Sequence, residues 1–219
     1  MAIFRRATGA GPGLTAQVDA AQKLYAALAR QYDDETRFIT GIRKQAIAAL
    51  ALRPGETVVD AGCGTGWCLP MLAEGVGPTG TIIGFEPTEA MLAIARTRAI
   101  QRGLTNARLL HACGNSALLD AVPDAILFSY THDLIRSREA LANIFCQARS
   151  GSRIVSTGTK LFPRWFFPGN RYLRHTHRAT ITNFDSFHQP WTILAEFCSR
   201  HQVQVKVPGS RYLFTGILD

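Results

Sequence analysis

The sequence has no apolar run near the roughly 20 residues needed to cross a bilayer as a helix, no internal repeat and no low-complexity tract. What remains is a globular chain, and 219 residues suffice for one domain with its own core but are short for two. Cysteine is sparse: Cys63, Cys68, Cys113, Cys146 and Cys198 are scattered, odd in number and form neither a CxxC pair nor a Cys/His ladder. That argues against a zinc site and a disulfide framework, and predicts reduced thiols acting as small core hydrophobes. No apolar stretch follows the basic opening Met1 to Arg6, so no secretory signal is read and the expected compartment is the cytoplasm. Acid is missing from Ala140 to Phe184, where Arg149, Arg153, Lys160, Arg164, Arg171, Arg174 and Arg178 fall. In a chain of net charge +8 such a stretch attracts anions (a phosphate-bearing acceptor, acidic lipid, nucleic acid) or is a solvated basic face.

A loose, glycine-rich arm is followed by helical spacing over Thr15–Arg30 and again over Thr36–Leu52, which stops before the Pro54-Gly55 turn. Together they make a helical cap over about 13–52. The rhythm then alternates. Strands are expected at Thr57–Ala61, Thr81–Phe85, Ala107–Ala112, Ala125–Tyr130 and Arg153–Thr157. Helices are expected up to Glu74, over Glu89–Arg102 and near Glu139–Ala148. Alternation of this kind gives a parallel sheet covered on both faces. The end differs: Val203–Val207, a Pro208-Gly209 turn and Tyr212–Leu218 can only pair antiparallel. The expected architecture is a doubly wound, mostly parallel α/β sheet closed by a C-terminal antiparallel hairpin, within a single domain over 1–219.

The stretch Val58-Val59-Asp60-Ala61-Gly62-Cys63-Gly64-Thr65-Gly66 carries the chemistry. Three glycines between a strand and a helix allow a tight turn and close approach of a ligand, and the helix start offers free N–H groups. A dinucleotide loop reads GxGxxG, and its third glycine position is Trp67 here. GxGxG behind an acid suits S-adenosylmethionine (SAM) better, because Asp60 can face the cationic amino group that SAM has and NAD lacks. Glu86, 20 residues beyond Gly66 at the next strand end, suits a ribose diol, with a capping or surface acid as the alternative.

Residues 54–158 resemble the core of the class I SAM-dependent methyltransferases, nearest to the ubiquinone/menaquinone and lipid-head-group branch. The resemblance rests on Pro54–Gly66 and on Gly84-Phe85-Glu86-Pro87-Thr88-Glu89-Ala90-Met91-Leu92. It implies SAM as cofactor, a seven-stranded sheet, and contacts from Asp60, Gly62, Cys63, Gly64, Thr65, Gly66, Glu86 and Pro87. It also implies an adenine contact after the third strand, where the family often has Asp and this chain has Cys113. A thiol is a poor acceptor, so Asn115 or backbone groups near Gly114 would read the base. Tyr32-Asp33 resembles a YD pair placed near the cofactor in such relatives, with core packing of Tyr32 as the other reading.

The acceptor belongs at the carboxyl ends of the strands. There the fourth strand ends in Ser129, Tyr130, His132 and Asp133, with His132 the candidate base and Tyr130 the residue that orients the acceptor. The alternatives are a helix-capping His and a half-buried strand Tyr. No NPPY-like run points to amino-methylation of bases, and His175-Thr176-His177 is too weak a signal to predict a metal. The aromatic and basic insert over about 159–190 reads as a lid, as an interfacial patch for peripheral membrane contact, or as core beneath a loop. Three functions stand: methyl transfer to a small-molecule or lipid-head-group acceptor; another SAM chemistry, aminocarboxypropyl transfer or cyclisation; and a basic nucleic-acid or membrane-surface binder. No RNA-reading module supports nucleic acid in the last.

Overall fold

The computed structural model describes residues 23, 25–27, 29–177, 184, 187–206 and 210–219. Seven strands form one sheet in the order β3-β2-β1-β4-β5-β7-β6. They are β1 (Thr57–Ala61), β2 (Thr81–Glu86), β3 (Ala107–His111), β4 (Ala125–Ser129), β5 (Arg153–Thr159), β6 (Cys198–Lys206) and β7 (Arg211–Leu218). The first five run parallel; β7 pairs antiparallel with both β5 and β6. The fold class is therefore the doubly wound sheet with a terminal hairpin that the sequence predicts. The Pro208-Gly209 turn of that hairpin lies outside the described residues, as do the arm and the Thr15–Arg30 helix apart from helical positions 23 and 25–27.

Successive side chains of a strand point to opposite faces, and the core divides accordingly. Val59, Ile83, Ile126, Phe128 and Ile154 pack on one face against Leu141, Ile144 and Phe145 of α5 (Arg138–Phe145). Val58, Ile82, Leu127 and Val155 pack on the other. There they meet α2 (Thr40–Ala49), α3 (Leu69–Val76) and, through Ala95, α4 (Glu89–Gln101). A four-residue α1 (Tyr32–Glu35) precedes α2. Phe128 is fully buried and meets Phe145 edge-on at 6.1 Å between ring centroids. Phe128→Ala is expected to lower unfolding free energy by about 3–5 kcal/mol, read as a reduced urea midpoint at unchanged m-value.

Boundaries shift where local chemistry intervenes. The helix predicted over Thr36–Leu52 begins as a 3-10 turn, Arg37–Ile39, because the Thr36 hydroxyl closes the previous turn on the Tyr32 carbonyl at 2.7 Å. It ends at Ala49, and Ala51 takes φ +47° before the pre-proline residue Arg53. The thiols divide: Cys63 and Cys68 are buried as expected, but Cys113 and Cys146 are exposed, because they lie past a strand end and at a helix end. Two arginines of the acid-free run belong to the core's rim, Arg149 pairing with Asp124 and Arg153 with Glu56. Among the described residues no helix is long and apolar enough to cross a membrane.

The insert holds a helix the sequence did not announce, α6 (Phe167–His177), over a small core of Leu161, Leu173 and Phe187. A four-residue α7 (Thr192–Ala195) follows it. Positions 178–183 and 185–186 and the side chains of Thr176 and His177 lie outside the described residues.

Candidate active site

Strand order reverses between β1 and β4, and ligands of open α/β sheets bind in the crevice at the carboxyl ends there. Asp60 pairs in register with Leu127, so the glycine loop leaves β1 level with Ser129 at the end of β4. A small cavity, open to solvent, is lined there by Tyr32, Arg43, Asp60, Gly62, Cys63, Gly64, Thr65, Trp67, Cys68 and Ser129. The structure thus brings together Asp60, the first half of the loop, Tyr32 and Ser129.

The loop glycines serve different ends. Gly66 has φ +73°, and a Cβ there would come 2.7 Å from Leu69 Cδ1 and 2.9 Å from Ala95 Cβ, so it lets the loop pack on α4. Gly64 has φ +56°, and nothing lies within 4 Å of its missing Cβ. Its side faces open space, which suits a ligand lying against bare backbone. Glu86 braces the loop: one carboxylate oxygen accepts the Gly64 N–H at 3.1 Å, the other the Thr88 N–H at 2.9 Å. Each oxygen keeps acceptor capacity for a diol. Burial raises the Glu86 pKa, and these N–H bonds oppose that rise.

Asp60 is 1% exposed and its Oδ2 meets no hydrogen-bond partner among the described residues. Burial pushes its pKa up to about 7; Arg43 acts against the shift and Glu86 adds to it. An unpartnered buried carboxylate oxygen facing a cavity is complementary to a cationic donor. Across the same cavity lies Arg43, 5% exposed, a residue the sequence reading passed over. Its guanidinium carbon sits 5.3 Å from the Trp67 ring centroid, 5.9 Å from Tyr130 and 6.0 Å from Tyr32. One nitrogen donates to the Thr36 hydroxyl at 3.3 Å. Among the described residues it joins no ion pair. Its signal lay in helix spacing: Arg43 stands in the apolar stripe Ile39, Ile42, Ala46, Ile47, Leu50, where a charge is out of place. A buried anion and a buried cation lining one cavity match the ammonium and carboxylate of an amino acid.

A second overlooked group fixes the loop from behind. Arg98 of α4 donates to the Thr65 carbonyl at 2.7 Å and pairs with Asp33, while the Thr65 hydroxyl donates to the other Asp33 oxygen at 2.6 Å. The YD pair therefore divides its tasks, with Tyr32 at the cavity wall and Asp33 tying the cap to the loop.

The remaining predicted residues are not among those that line this cavity. The Pro87 carbonyl faces His111 Nε2 at 2.9 Å. Cys113 and Gly114 follow β3, whose His111 is level with Glu86, and neither lines the cavity. Cys113 is exposed, and the Gly114 carbonyl accepts from Asn143 at 3.0 Å. Tyr130 follows β4 at φ +62°, a conformation rare for a bulky residue. Its hydroxyl is buried with no hydrogen-bond partner among the described residues, and burial raises its pKa to about 12. His132 lies with its ring 5.8 Å from Tyr130 and 5.1 Å from Phe187 of the insert, and its Nε2 accepts the Thr159 N–H at 3.4 Å. A Cβ on Gly158 would come 2.5 Å from His132 Cε1, so a glycine there makes room for the ring.

A Rossmann-like sheet whose switch-point crevice sets a bare-backbone loop between a buried acid and a diol-spaced acid offers groups complementary to an amino-acid-bearing nucleoside. Residues 52–165, more than half the chain, match the family model described as "Methyltransferase domain". The chain belongs to that family.

Over 139 residues it is 26% identical to a demethylmenaquinone methyltransferase of Listeria monocytogenes, covering 61% of this chain and 58% of the relative. Over 67 residues it is 36% identical to nocamycin O-methyltransferase of Saccharothrix syringae, covering 31% of this chain and 24% of that one. The matched part thus spans less than two thirds of these relatives' length. The solved structure of a SAM-dependent methyltransferase from Aquifex aeolicus superposes with a TM-score of 0.67 at 21% identity, covering 89% of this chain and 98% of that one. At that identity the likeness speaks for the fold.

Proposed function

We propose that this chain, acting as one domain over 1–219, methylates a small, largely apolar acceptor through an oxygen or carbon nucleophile. The observation that carries the reading is the pairing of Asp60 and Arg43 across one cavity, beside a loop whose Gly64 leaves room for a ligand. When bound, SAM supplies a methyl activated on a sulfonium, transferred by in-line displacement. Asp60 would hold its ammonium, Arg43 its carboxylate, Glu86 its ribose, and Pro87 with the backbone at Cys113 and Gly114 its adenine. Acceptor classes come from relatives named for demethylmenaquinone and nocamycin; the basic insert also suits an acidic or phosphate-bearing acceptor.

Ser129, Tyr130 and His132 would wall the acceptor side, with the helical cap and the insert closing it from water. The Tyr130 hydroxyl, unpartnered now, would donate to an acceptor oxygen. The His132 Nε2 contact with Thr159 is long at 3.4 Å, so a shorter O–H···N bond from an acceptor hydroxyl can displace it. His132 would then take the proton as the methyl bond forms. His132→Asn is expected to lower kcat by about 10²-fold and flatten the acid limb of the pH–rate profile, and Tyr130→Phe chiefly to raise KM. An unchanged acid limb in the His132 variant would assign the ring to packing instead.

The direct test incubates the full chain with methyl-labelled SAM and a panel of quinols, phenols and enolisable ketones. Labelled product with S-adenosylhomocysteine is expected. Methylthioadenosine instead would transfer the reading to aminocarboxypropyl chemistry.

A further inference from the structure

The insert buries little of its aromatic content. Leu173 of α6 turns inward, 5% exposed, onto Leu161 and Phe187, and Phe162 and Phe184 close that small core. Trp165, Phe167 and Tyr172 are left 76%, 74% and 71% exposed, and Phe166 is 39% exposed. Single exposed apolar residues are ordinary; three consecutive aromatics, with the Trp165 and Phe166 rings 5.8 Å apart, form a patch, and patches mark surfaces that something covers. Phe167 and Arg171 stand at i and i+4, so they share one ridge of the helix, turned away from Leu173, while the Arg174 guanidinium lies 5.8 Å from the Phe184 ring. Arg164 precedes the aromatics directly, and no acidic residue occurs from Ala140 to Phe184.

A separate pair of the same kind lies at the insert's end of the sheet. Thr159, one residue before Lys160, pairs in register with Arg211, whose guanidinium lies 5.2 Å from the ring of Phe38. Phe38 is itself 63% exposed. A second aromatic–arginine pair therefore lies at the same end of the sheet as the insert, the end that carries the active-site crevice.

Rings that are apolar at the face and tolerant of water at the edge, among arginines with long aliphatic stems, suit the boundary between headgroups and acyl chains. The unbroken positive charge selects a negative surface. We propose that this face, built at the start of α6 with Trp165, Phe166 and Phe167 as wedges and Arg164 and Arg171 as headgroup contacts, docks the protein on an anionic lipid bilayer. This goes beyond the methyl-transfer reading and does not depend on it. His132 touches Phe187 at 5.1 Å, so a docked insert would hold the acceptor side of the crevice close to the lipid.

Flotation of the full chain with vesicles tests this without cofactor or acceptor, so its failure and that of methyl transfer are read separately. Phosphatidylcholine vesicles are compared with vesicles containing 30 mol% phosphatidylglycerol at low and high salt. At least tenfold stronger partitioning onto the anionic vesicles at low salt is expected. The exposed double variant Trp165→Ser/Phe167→Ser should lose at least tenfold at either salt. Arg164→Gln/Arg171→Gln should lose the lipid preference, and both should keep the wild-type melting temperature. Equal partitioning onto neutral and anionic vesicles, or none, overturns the proposal. So does undiminished binding by the aromatic variant, and so does RNA retaining the wild type and the aromatic variant alike, since charge alone would then explain the face.

Discussion

Asp60→Asn is expected to weaken SAM binding by roughly 10²–10³-fold while making the empty protein more stable at pH 8. The first effect follows from removing one partner of a buried ion pair, about 3–5 kcal/mol where the other charge is left without compensation. The second follows from Asp60 in the empty site, where its Oδ2 is buried without a partner and burial pushes its pKa up to about 7. A carboxyl whose folded pKa lies above its unfolded value of 3.8 holds a proton that the unfolded chain releases. Its contribution to stability is fully present in acid, declines as pH rises from about 3.8, and is lost above about 7. Asparagine carries no such term. The melting temperature of the variant should exceed that of wild type by several degrees at pH 8, and the gap should close toward pH 4. Wild-type affinity for SAM should itself fall about tenfold between pH 8 and pH 6, as Asp60 takes up the proton that competes with the ammonium. Calorimetric titration across that range, on both proteins, checks every part. A variant that binds SAM like wild type would remove Asp60 from the site.

The residues legible beforehand and those that were not differ in how far their chemistry is local. The glycine loop, Asp60 and Glu86 are each defined by neighbours in sequence: a strand ends, the backbone turns, a helix begins, and the next strand ends in acid. Their positions followed without tertiary information. Arg43 lies 17 residues before Asp60 on a helix of the cap, and only the packing of α2 over the sheet brings its charge to the cavity. The helix α6 is masked in the sequence by Pro168-Gly169, although proline is well tolerated in a helix's first turn, where the N–H lacks an intrahelical acceptor anyway. The strand β6 begins at Cys198, five residues before the alternation at Val203, because pairing with β7 carries it through Ser199-Arg200-His201-Gln202. An edge strand exposed along most of its length has no buried face to impose a pattern.

The cage around Arg43 yields the second large effect. Arg43→Met keeps the length and much of the volume of the side chain and leaves Tyr32, Trp67 and Tyr130 something to pack against. It removes the fork that can bind a carboxylate through two parallel hydrogen bonds. Loss of a desolvated interaction of this kind should weaken SAM and S-adenosylhomocysteine by about 2–4 kcal/mol, or roughly 30- to 10³-fold. Affinity alone would not separate a lost contact from a collapsed cavity, so the decisive ligand is decarboxylated SAM, which keeps the ammonium and lacks the carboxylate. Wild type should bind it far more weakly than SAM, and Arg43→Met should bind both about equally. Asp60→Asn should instead weaken both ligands together, because the ammonium is common to them. If Arg43→Met lost affinity for the decarboxylated ligand as steeply as for SAM, the guanidinium would be a prop for the aromatic wall, and the carboxylate would have to be held by the N–H groups at the start of α3. The same variant reports on Tyr130, whose ring lies 5.9 Å from the guanidinium and whose backbone is held at φ +62°. Should the cation–π contact help to hold that conformation, kcat for the bound complex would fall as well, tying the grip on the cofactor's carboxylate to the placement of the acceptor.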